Sequence, residues 1–293
     1  MLSLNEKWYG RSFVLFDINR FVYIRGCGFV YKKTDGNGKE RELVFRDIPL
    51  GQMKDITFAI EEIVGMDRPF TFYCSTERYD WRLVPELPPP RFHGFAEWRE
   101  NVFKPLQDER DDFVTGKDAV FEMDCAAHKG TTDNWEVGIA NVYLIRDILK
   151  SLGIREAWAL FSGSGGFHTW VPWEELKRLY LESENYQECK MGMAAVADFV
   201  VKFVSNVVTT AGAVVGKDKK LFLKDIAIDM SPNYKRGQIR CPYSIHPKTG
   251  NVVYPFTKKE LEDFKPADVS TKFSVRHVLG NVKLMNRGMP NVI

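Results

Sequence analysis

The stretch that decides the fold is LKDIAIDMSPNYKRGQIRCPYSIHPKTGNVVYPF, residues 223–256 of the 293-residue chain. Its first part is a short apolar strand that ends in the carboxylate of Asp229, and a basic turn follows at residues 233–237. A second strand then leads to Arg240. Polar side chains occupy the compact turn after it, at Ser244, His246, Lys248 and Thr249. An acid at a strand end, followed by several cations, indicates a place where a metal ion and a phosphate chain meet.

Composition sets broad limits on the function. The chain is 44% hydrophobic and 27% charged, as in an ordinary globular protein. Its net charge of +2 gives no overall electrostatic signature of nucleic-acid binding, so any basic surface must be local. No apolar run reaches the roughly 18 residues that a membrane span needs, and the first residues have no signal-peptide layout. We therefore expect a cytoplasmic protein, or a nuclear one if the source is eukaryotic, with no membrane partner.

The five cysteines lie far apart and form no CxxC pair. An odd, scattered set argues against a disulfide framework and against a thiolate zinc site. We expect small buried thiols and no structural zinc.

The strand pattern indicates a mixed α/β (α+β) fold. Residues 11–48 alternate apolar and polar positions around the turn DGNG, which predicts antiparallel strands. Further strands are predicted at residues 68–73, 118–124, 156–161 and 167–171.

Helical spacing is clearest in residues 134–152, with Asp133 as a candidate N-cap and Gly153 after the last turn. Thr257 and Glu260 form a capping box for a short helix. Weaker helices are predicted at residues 51–64, 94–106 and 187–210, although the valine-rich end of the last could also be a strand.

We expect one domain over residues 1–293, built from two sub-lobes. Residues 79–93 contain PELPPPR, which excludes helix, and we interpret them as a surface crossover rather than a domain boundary. Apart from the capping box, residues 257–293 are left unassigned.

Two upstream stretches carry chemistry that matches residues 223–256. In VFEMD, Glu122 and Asp124 stand two apart on a strand, so their carboxylates point to the same face. In FSGSGGFHTWV, a glycine-rich turn with Ser162 and Ser164 joins two strands, the second of which carries His168. Such turns expose backbone N–H groups that suit phosphate.

Together these groups are the inventory of metal-assisted phosphoryl transfer. Hard cations such as Mg²⁺ or Mn²⁺ take carboxylate oxygens and are completed by water and phosphate. Two such ions can activate a hydroxyl and stabilise departing pyrophosphate, while Arg and His balance phosphate charge. Each motif alone is also typical of a solvated strand edge, a plain hairpin or a structural histidine. The interpretation therefore requires the three stretches to be neighbours in space.

The order of motifs resembles a known family. The succession xFxxD, FSGxxGxHxWV and then D…RxPxSxHPKTG is similar to that of the catalytic small subunit of archaeal and eukaryotic DNA primases. It is shared more loosely by the archaeo-eukaryotic primase superfamily, which includes primase-polymerases and the polymerase domain of bacterial end-joining ligases. The segments VYIRGCGF (22–29) and RPFTFYCS also resemble family strands, so the likeness covers most of residues 15–256.

This resemblance implies an RRM-like catalytic sheet joined to a second α/β half. It also implies nucleotidyl transfer from NTP or dNTP on a single-stranded DNA template, with a primase large subunit or a helicase as a further partner. By position, two Mg²⁺ or Mn²⁺ ions are implied at Glu122, Asp124 and Asp229, and a template or cleft contact at Arg25. The triphosphate contacts implied in the same way are Ser162, Ser164, His168, Arg240, Ser244, His246 and Lys248.

Three departures from the family pattern bear on function. The first acid is Glu122 where the family has Asp, and its extra methylene moves the carboxylate by roughly 1.5 Å. Ser164 and Gly165 stand where relatives carry basic residues in the serine turn. The pair Cys125 and His128 is not followed by the zinc-binding insertion of primase small subunits.

We therefore consider two functions. The first is a primase or primase-polymerase that starts or extends strands on single-stranded DNA. The alternative is a catalytically weak homologue that binds nucleic acid or takes part in assembling a replication complex, suggested by Glu122 and the missing loop cations. A nucleotide-binding regulator that does not act on DNA is a third, minor possibility.

Overall fold

The computed structural model describes residues 8–9, 18, 21–22, 24–34, 40–48, 70–80, 82, 113–125, 135–182, 195–215, 221–223, 226–233, 237–265, 272–275, 278, 289 and 291–293. Within these ranges, the strands are β1 Arg25–Thr34, β2 Glu40–Ile48, β3 Phe70–Tyr79, β4 Val114–Lys117, β5 Ala119–Asp124, β6 Trp158–Phe161, β7 Gly166–Val171, β8 Val214–Val215, β9 Leu221–Leu223, β10 Ile226–Asp229, β11 Gln238–Arg240 and β12 Tyr254–Pro255. The helices are α1 Trp135–Ser151, α2 Trp173–Glu182, α3 Val196–Thr210 and α4 Lys258–Glu262, and a 3₁₀ turn spans Ser231–Asn233.

The strands form two sheets, and every described pairing is antiparallel. The first sheet has the order β11–β3–β1–β2, with β4 also paired to β3. The second has the order β12–β6–β7–β5–β10–β9–β8. The chain passes from the first sheet to the second at Asp118, between β4 and β5. It returns through the 3₁₀ turn between β10 and β11.

One face of the second sheet is covered by helices and aromatic rings. On α1 the buried positions recur every three or four residues, from Trp135 to Leu149. Gly138 permits close approach to the end of β5, since a Cβ there would lie 2.3 Å from the Cys125 sulfur. Ring contacts continue this core through the side chains of Trp135, Phe161, Phe167, Phe256, Phe264 and Phe273.

The mixed α/β class is confirmed, and so are most of the predicted elements that the structure describes. The helix at 134–152 corresponds to α1, and Gly153 follows it with φ +82°. The valine-rich end of α3 is helical because Val196, Val200, Val204 and Val208 fall on one buried stripe. The capping box of α4 is present, with both hydrogen bonds made.

Some predictions are wrong, and others concern residues that the structure does not describe. The strand predicted in the region of residues 20–33 begins later than the alternation suggests, because Phe21 and Val22 have helical backbone and β1 begins at Arg25. The strand predicted at residues 11–17 lies outside the described residues. Helix α2 was missed, although Pro172 followed by two acids in the first turn is a helix-start signal. The predicted helices at 51–64 and 94–106 lie outside the described residues, as does nearly all of the proposed crossover. None of the described helices is both long and apolar enough to cross a bilayer.

Candidate active site

The three predicted acids lie on one face of the second sheet. Glu122 on β5 is directly opposite Asp229 on β10, and Asp124 is two positions further along β5. Directly opposite residues point to the same side, as do residues two apart on a strand. The backbone N–H of Ser231 donates to Asp229 Oδ1 at 2.7 Å, which holds that carboxylate at the strand end. Acids distant in sequence are thus brought side by side by strand register.

Burial decreases along this face towards the acids. Val120 and its β7 neighbour Trp170 are fully buried, whereas the Glu122 side chain is 35% exposed. Phe21 contacts the Trp170 ring edge-on at 5.2 Å, and Arg25 of β1 lies 5.9 Å from the same ring. The acidic face is therefore the one turned towards the first sheet, opposite to the helix-covered face. The apolar end of this face is buried, whereas Glu122 at the acidic end is accessible to solvent.

His168 adjoins the acids from β7. It pairs in register with Glu122, and its Nε2 lies 3.5 Å from Glu122 Oε1. The side chain is fully buried, and neither ring nitrogen has a hydrogen-bond partner among the described residues. A buried imidazole with two unsatisfied nitrogens is costly, so a polar ligand at this position would be stabilised by it.

The serine turn meets the acidic strand edge through its backbone. The Ser162 N–H donates to Gly166 O at 2.9 Å, which closes the turn, and the Cys125 N–H donates to Gly165 O at 2.7 Å. Gly166 lies opposite Asp124, where an added Cβ would be 2.0 Å from Met123 O. Only glycine allows β7 to approach the end of β5 this closely.

Residues 223–256 reach the same turn from the first sheet. Arg240 on β11 donates from Nη1 to Ser162 O at 2.6 Å, while its buried Nε has no partner among the described residues. Its guanidinium also lies 5.7 Å from the Tyr73 ring. Thr249 Oγ1 donates to Gly163 O at 2.5 Å. The three motifs are therefore neighbours in space: Arg240 from the first sheet and the acidic strand β5 of the second sheet both contact the serine turn.

His246 is fixed by the turn that it begins. Its Nδ1 accepts hydrogen bonds from the N–H groups of Lys248 and Thr249, both at 3.3 Å, so the proton of the neutral ring lies on Nε2. Its Cβ packs against Gly163, where an added Cβ would be 2.8 Å away. Burial, and next the charges of Arg240 and Lys248, lower the pKa of His246 to about 4. His246 is neutral at pH 7 and is a hydrogen-bond donor rather than a cation.

We expect His246 to make folding pH-dependent in a defined window. Because its pKa is about 4 in the folded protein and 6.5 ordinarily, the folded state binds fewer protons between these values. The free energy of unfolding should therefore fall as pH falls from 6.5 to 4. His246→Gln keeps an acceptor for the two N–H groups but does not titrate, so its unfolding free energy should depend less on pH. Denaturant unfolding of both proteins across this range measures the difference, and parallel curves would contradict the expectation.

The remaining predicted triphosphate contacts differ in accessibility. Ser164 is half-buried in the serine turn, and Lys248 is exposed on the His246 turn. Ser162 is buried, and its carbonyl rather than its hydroxyl makes the bond to Arg240. Ser244 is fully buried, with no partner for Oγ among the described residues. Ser164 and Lys248 can reach a ligand from their present positions, whereas Ser244 lies below the surface.

Arg25 is not placed at a surface that could touch a template. Its side chain is 3% exposed, and its guanidinium binds Asp118 through Nε at 3.0 Å and Nη2 at 2.7 Å. Arg78 binds the same carboxylate at 2.8 Å, as does the Trp170 indole N–H at 3.0 Å. The backbone N–H of Trp173 donates to it at 2.7 Å. We correct the template prediction for Arg25 accordingly: it belongs to a buried ion cluster between the two sheets.

Asp118 and Asn233 were missed as site-supporting residues. Asp118 was interpreted as the first residue of an acidic strand, and Asn233 as part of a basic turn. Both are buried, at 0% and 2% exposure, and both hold the strand that carries Glu122 and Asp124. Nothing in the local pattern identifies their partners, which lie 40 to 113 residues away in sequence.

The donor set suits a divalent cation. Three carboxylates on one sheet face are the oxygen ligands that Mg²⁺ and Mn²⁺ prefer. Among the described residues, no three acidic, histidine or cysteine side chains come close enough to form a complete metal cluster. Since such ions usually keep water and substrate phosphate in their shell, two or three carboxylates are a sufficient protein contribution. Metal binding by Glu122, Asp124 and Asp229 stays a prediction.

The sequence matches a known protein family. The model of the LigD primase-polymerase domain matches residues 93–286, more than half of the chain. Among solved structures, the chain is similar to the polymerase domain of Mycobacterium tuberculosis ligase D in complex with DNA, with 14% identity, 98% of each chain covered and a TM-score of 0.47. No curated protein matches the sequence. The LigD family lies within the archaeo-eukaryotic primase superfamily, as the motifs indicated. The chain belongs to the LigD primase-polymerase domain family, and this membership indicates a DNA-directed nucleotidyltransferase.

Proposed function

We propose that this protein extends DNA or RNA strands on a single-stranded DNA template, using a nucleoside triphosphate and divalent metal ions. The observation that carries the proposal is the meeting at the serine turn of the acidic sheet face with Arg240 and His246. Acids alone would suggest a metal site and cations alone an anion site. Their juxtaposition suits a triphosphate whose charge is shared between metal and protein.

The chain's own residues have separable tasks in this proposal. Glu122, Asp124 and Asp229 would hold Mg²⁺ or Mn²⁺. When bound, the metal supplies charge stabilisation and lowers the pKa of the attacking hydroxyl. The buried Nε of Arg240 has no hydrogen-bond partner within the described part of the chain, and it is a donor suited to a phosphate oxygen. His246 offers an Nε2 proton whose direction is set by the two N–H groups bonded to Nδ1. These donors are in place before the substrate arrives, so little reorganisation opposes transfer.

The test is incorporation of a labelled nucleotide by the purified protein. We expect addition of the base complementary to the template, only on primed single-stranded DNA and only when Mg²⁺ or Mn²⁺ is added. Separate reactions with ribonucleotides and deoxynucleotides would show the sugar preference, and an unprimed template would show whether strands are started. Template-independent addition, or none with either nucleotide set and either metal, would contradict the proposal.

One observation favours a second function, a weakly active subunit that binds nucleic acid. Glu122 stands where the family pattern has an aspartate. Glu122→Asp separates the two functions, because it shortens the carboxylate without changing its charge. Full activity of the unaltered protein, with equal or lower activity of Glu122→Asp, supports the enzyme. An inert protein that becomes active on this substitution supports the binding subunit.

A further inference from the structure

We infer that Asn233 is the positioning residue that sets Asp229 against Glu122 and Asp124. This inference rests on the proposed function, because it concerns the same metal-binding face. Asn233 lies in the 3₁₀ turn Ser231–Asn233 directly after β10. It is 2% exposed, so its amide is committed to the protein interior.

The side chain of Asn233 continues the pairing of β10 with β5 after the backbone of β10 has turned away. Val120 N–H donates to Asn233 Oδ1 at 2.7 Å, and Asn233 Nδ2 donates to Val120 O. Val120 stands two residues before Glu122, so its polar backbone groups point in the same direction, towards β10. The last described backbone pair of this ladder is Asp229 with Glu122. The Asn233 amide therefore makes the two hydrogen bonds to Val120 that a further backbone residue of β10 would make.

The turn is also anchored to the rest of its surroundings. Asn233 donates from Nδ2 and from its backbone N–H to Met230 O, at 3.2 and 3.0 Å. Thr76 Oγ1 of β3 donates to Pro232 O at 2.9 Å. Gly237 lies against the same carbonyl, where an added Cβ would be 2.1 Å away. Residues 230–233 are thus held by hydrogen bonds to both sheets.

The consequence concerns the spacing of the carboxylates. Asp229 is the last residue of a short strand, and the rung beyond it is made by a side chain rather than by the backbone. Without that rung the end of β10 can separate from β5, which would increase the distance from Asp229 to Glu122. Outer-shell partners that orient metal ligands typically change metal affinity by about 10–100-fold when they are removed.

The test is Mn²⁺ binding to the protein alone, measured by electron paramagnetic resonance of the free ion. We expect Asn233→Ala to weaken binding by about 10-fold or more. Asp229→Asn, which removes a proposed ligand, should weaken it further. Thermal unfolding is recorded for each variant, so that loss of fold is distinguished from loss of affinity. If Asn233→Ala does not fold, Asn233→Ser, which retains a hydroxyl, is measured in its place.

Asn291 provides a matched control because its amide makes the same pair of backbone bonds elsewhere. Asn291 Oδ1 accepts from Ala157 N–H and its Nδ2 donates to Arg155 O, both at 3.0 Å. Asn291→Ala should leave Mn²⁺ affinity unchanged. If Asp229→Asn weakens binding but the folded Asn233 variant binds like the unaltered protein, the inference is wrong and the proposed function stands. If the unaltered protein and Asp229→Asn bind Mn²⁺ with equal affinity, or if neither binds it, the proposed metal site is wrong. Both the inference about Asn233 and the proposed function are then contradicted.

Discussion

Asp229→Asn is expected to lower template-directed nucleotide incorporation by about 100-fold or more. A metal ion contributes several kcal/mol of charge stabilisation to phosphoryl transfer, and each ~1.4 kcal/mol lost is a tenfold loss in rate. The amide keeps the size of the side chain and can still accept the hydrogen bond from Ser231 N–H, but it loses the negative charge. Steady-state rates at saturating nucleotide and increasing Mn²⁺ measure the effect. The loss should be partly recovered at high metal concentration.

The control for this substitution is Asp198→Asn. Asp198 is a carboxylate on α3 that bonds to Lys117, and its side chain is 65% exposed. Removing its charge changes the net charge of the protein by the same amount without touching the sheet face. We expect incorporation to remain within twofold of the unaltered protein, as for an ordinary surface ion pair. Equal losses in both variants would show that Asp229 has no special role.

Asp118→Ala is expected to destabilise the fold by about 3–5 kcal/mol, the range for breaking a buried ion pair. Two buried guanidiniums, those of Arg25 and Arg78, would lose their shared counter-ion. The Trp170 indole and the Trp173 N–H would also lose their acceptor. Because a typical domain is stable by only about 5–15 kcal/mol, this variant should lose a large share of its free energy of unfolding. Urea unfolding followed by tryptophan fluorescence measures the loss.

An exposed pair supplies the comparison for Asp118. Asp80 binds Arg82, whose side chain is 90% exposed, so Asp80→Ala should change the free energy of unfolding very little, as for other solvent-exposed ion pairs. The pH dependence of unfolding in acid provides an independent check on the role of Asp118. Burial alone would raise the pKa of Asp118, but the charges of Arg25 and Arg78 outweigh it and the pKa is lowered. The stabilisation is thus present above the ordinary carboxyl pKa of about 3.9 and is lost as pH falls through the lower folded value. A loss for Asp118→Ala no larger than for Asp80→Ala would contradict the role of the ion cluster.

The sequence predicted the placement of candidate site residues where a local pattern determines it. The spacing of Glu122 and Asp124 places both carboxylates on one face of any strand, and β5 is such a strand. The glycine-rich turn with His168 after it predicted β6, β7 and their connection. What periodicity alone could not supply was the partner of each strand. The resemblance implied that Asp229 lies near Glu122 and Asp124, whereas its position directly opposite Glu122 is visible only in the strand register.

The residues that sequence reasoning missed are those whose partners are distant. Asp118 looks like one more acid at the edge of a strand, yet it neutralises two arginines in the interior. Arg25 was expected in the template cleft because a resemblance transfers a position without its environment. Asn233 looked like a turn residue, which it is, but its side chain also pairs with a strand 113 residues earlier. In each case a buried polar side chain needs a hydrogen-bonding or charged partner, and local sequence patterns do not identify that partner because it is distant along the chain.

Among the described residues the chain crosses between the two sheets three times beside the candidate site: at Asp118, at the 3₁₀ turn before β11, and between β11 and β12. The first crossing is held by the ion cluster around Asp118 and the second by the side-chain amide of Asn233. Covalent connections at three places oppose rotation of one sheet against the other about a single hinge. We therefore expect a substrate to be accommodated by movements of side chains and connecting segments rather than by separation of the two sheets.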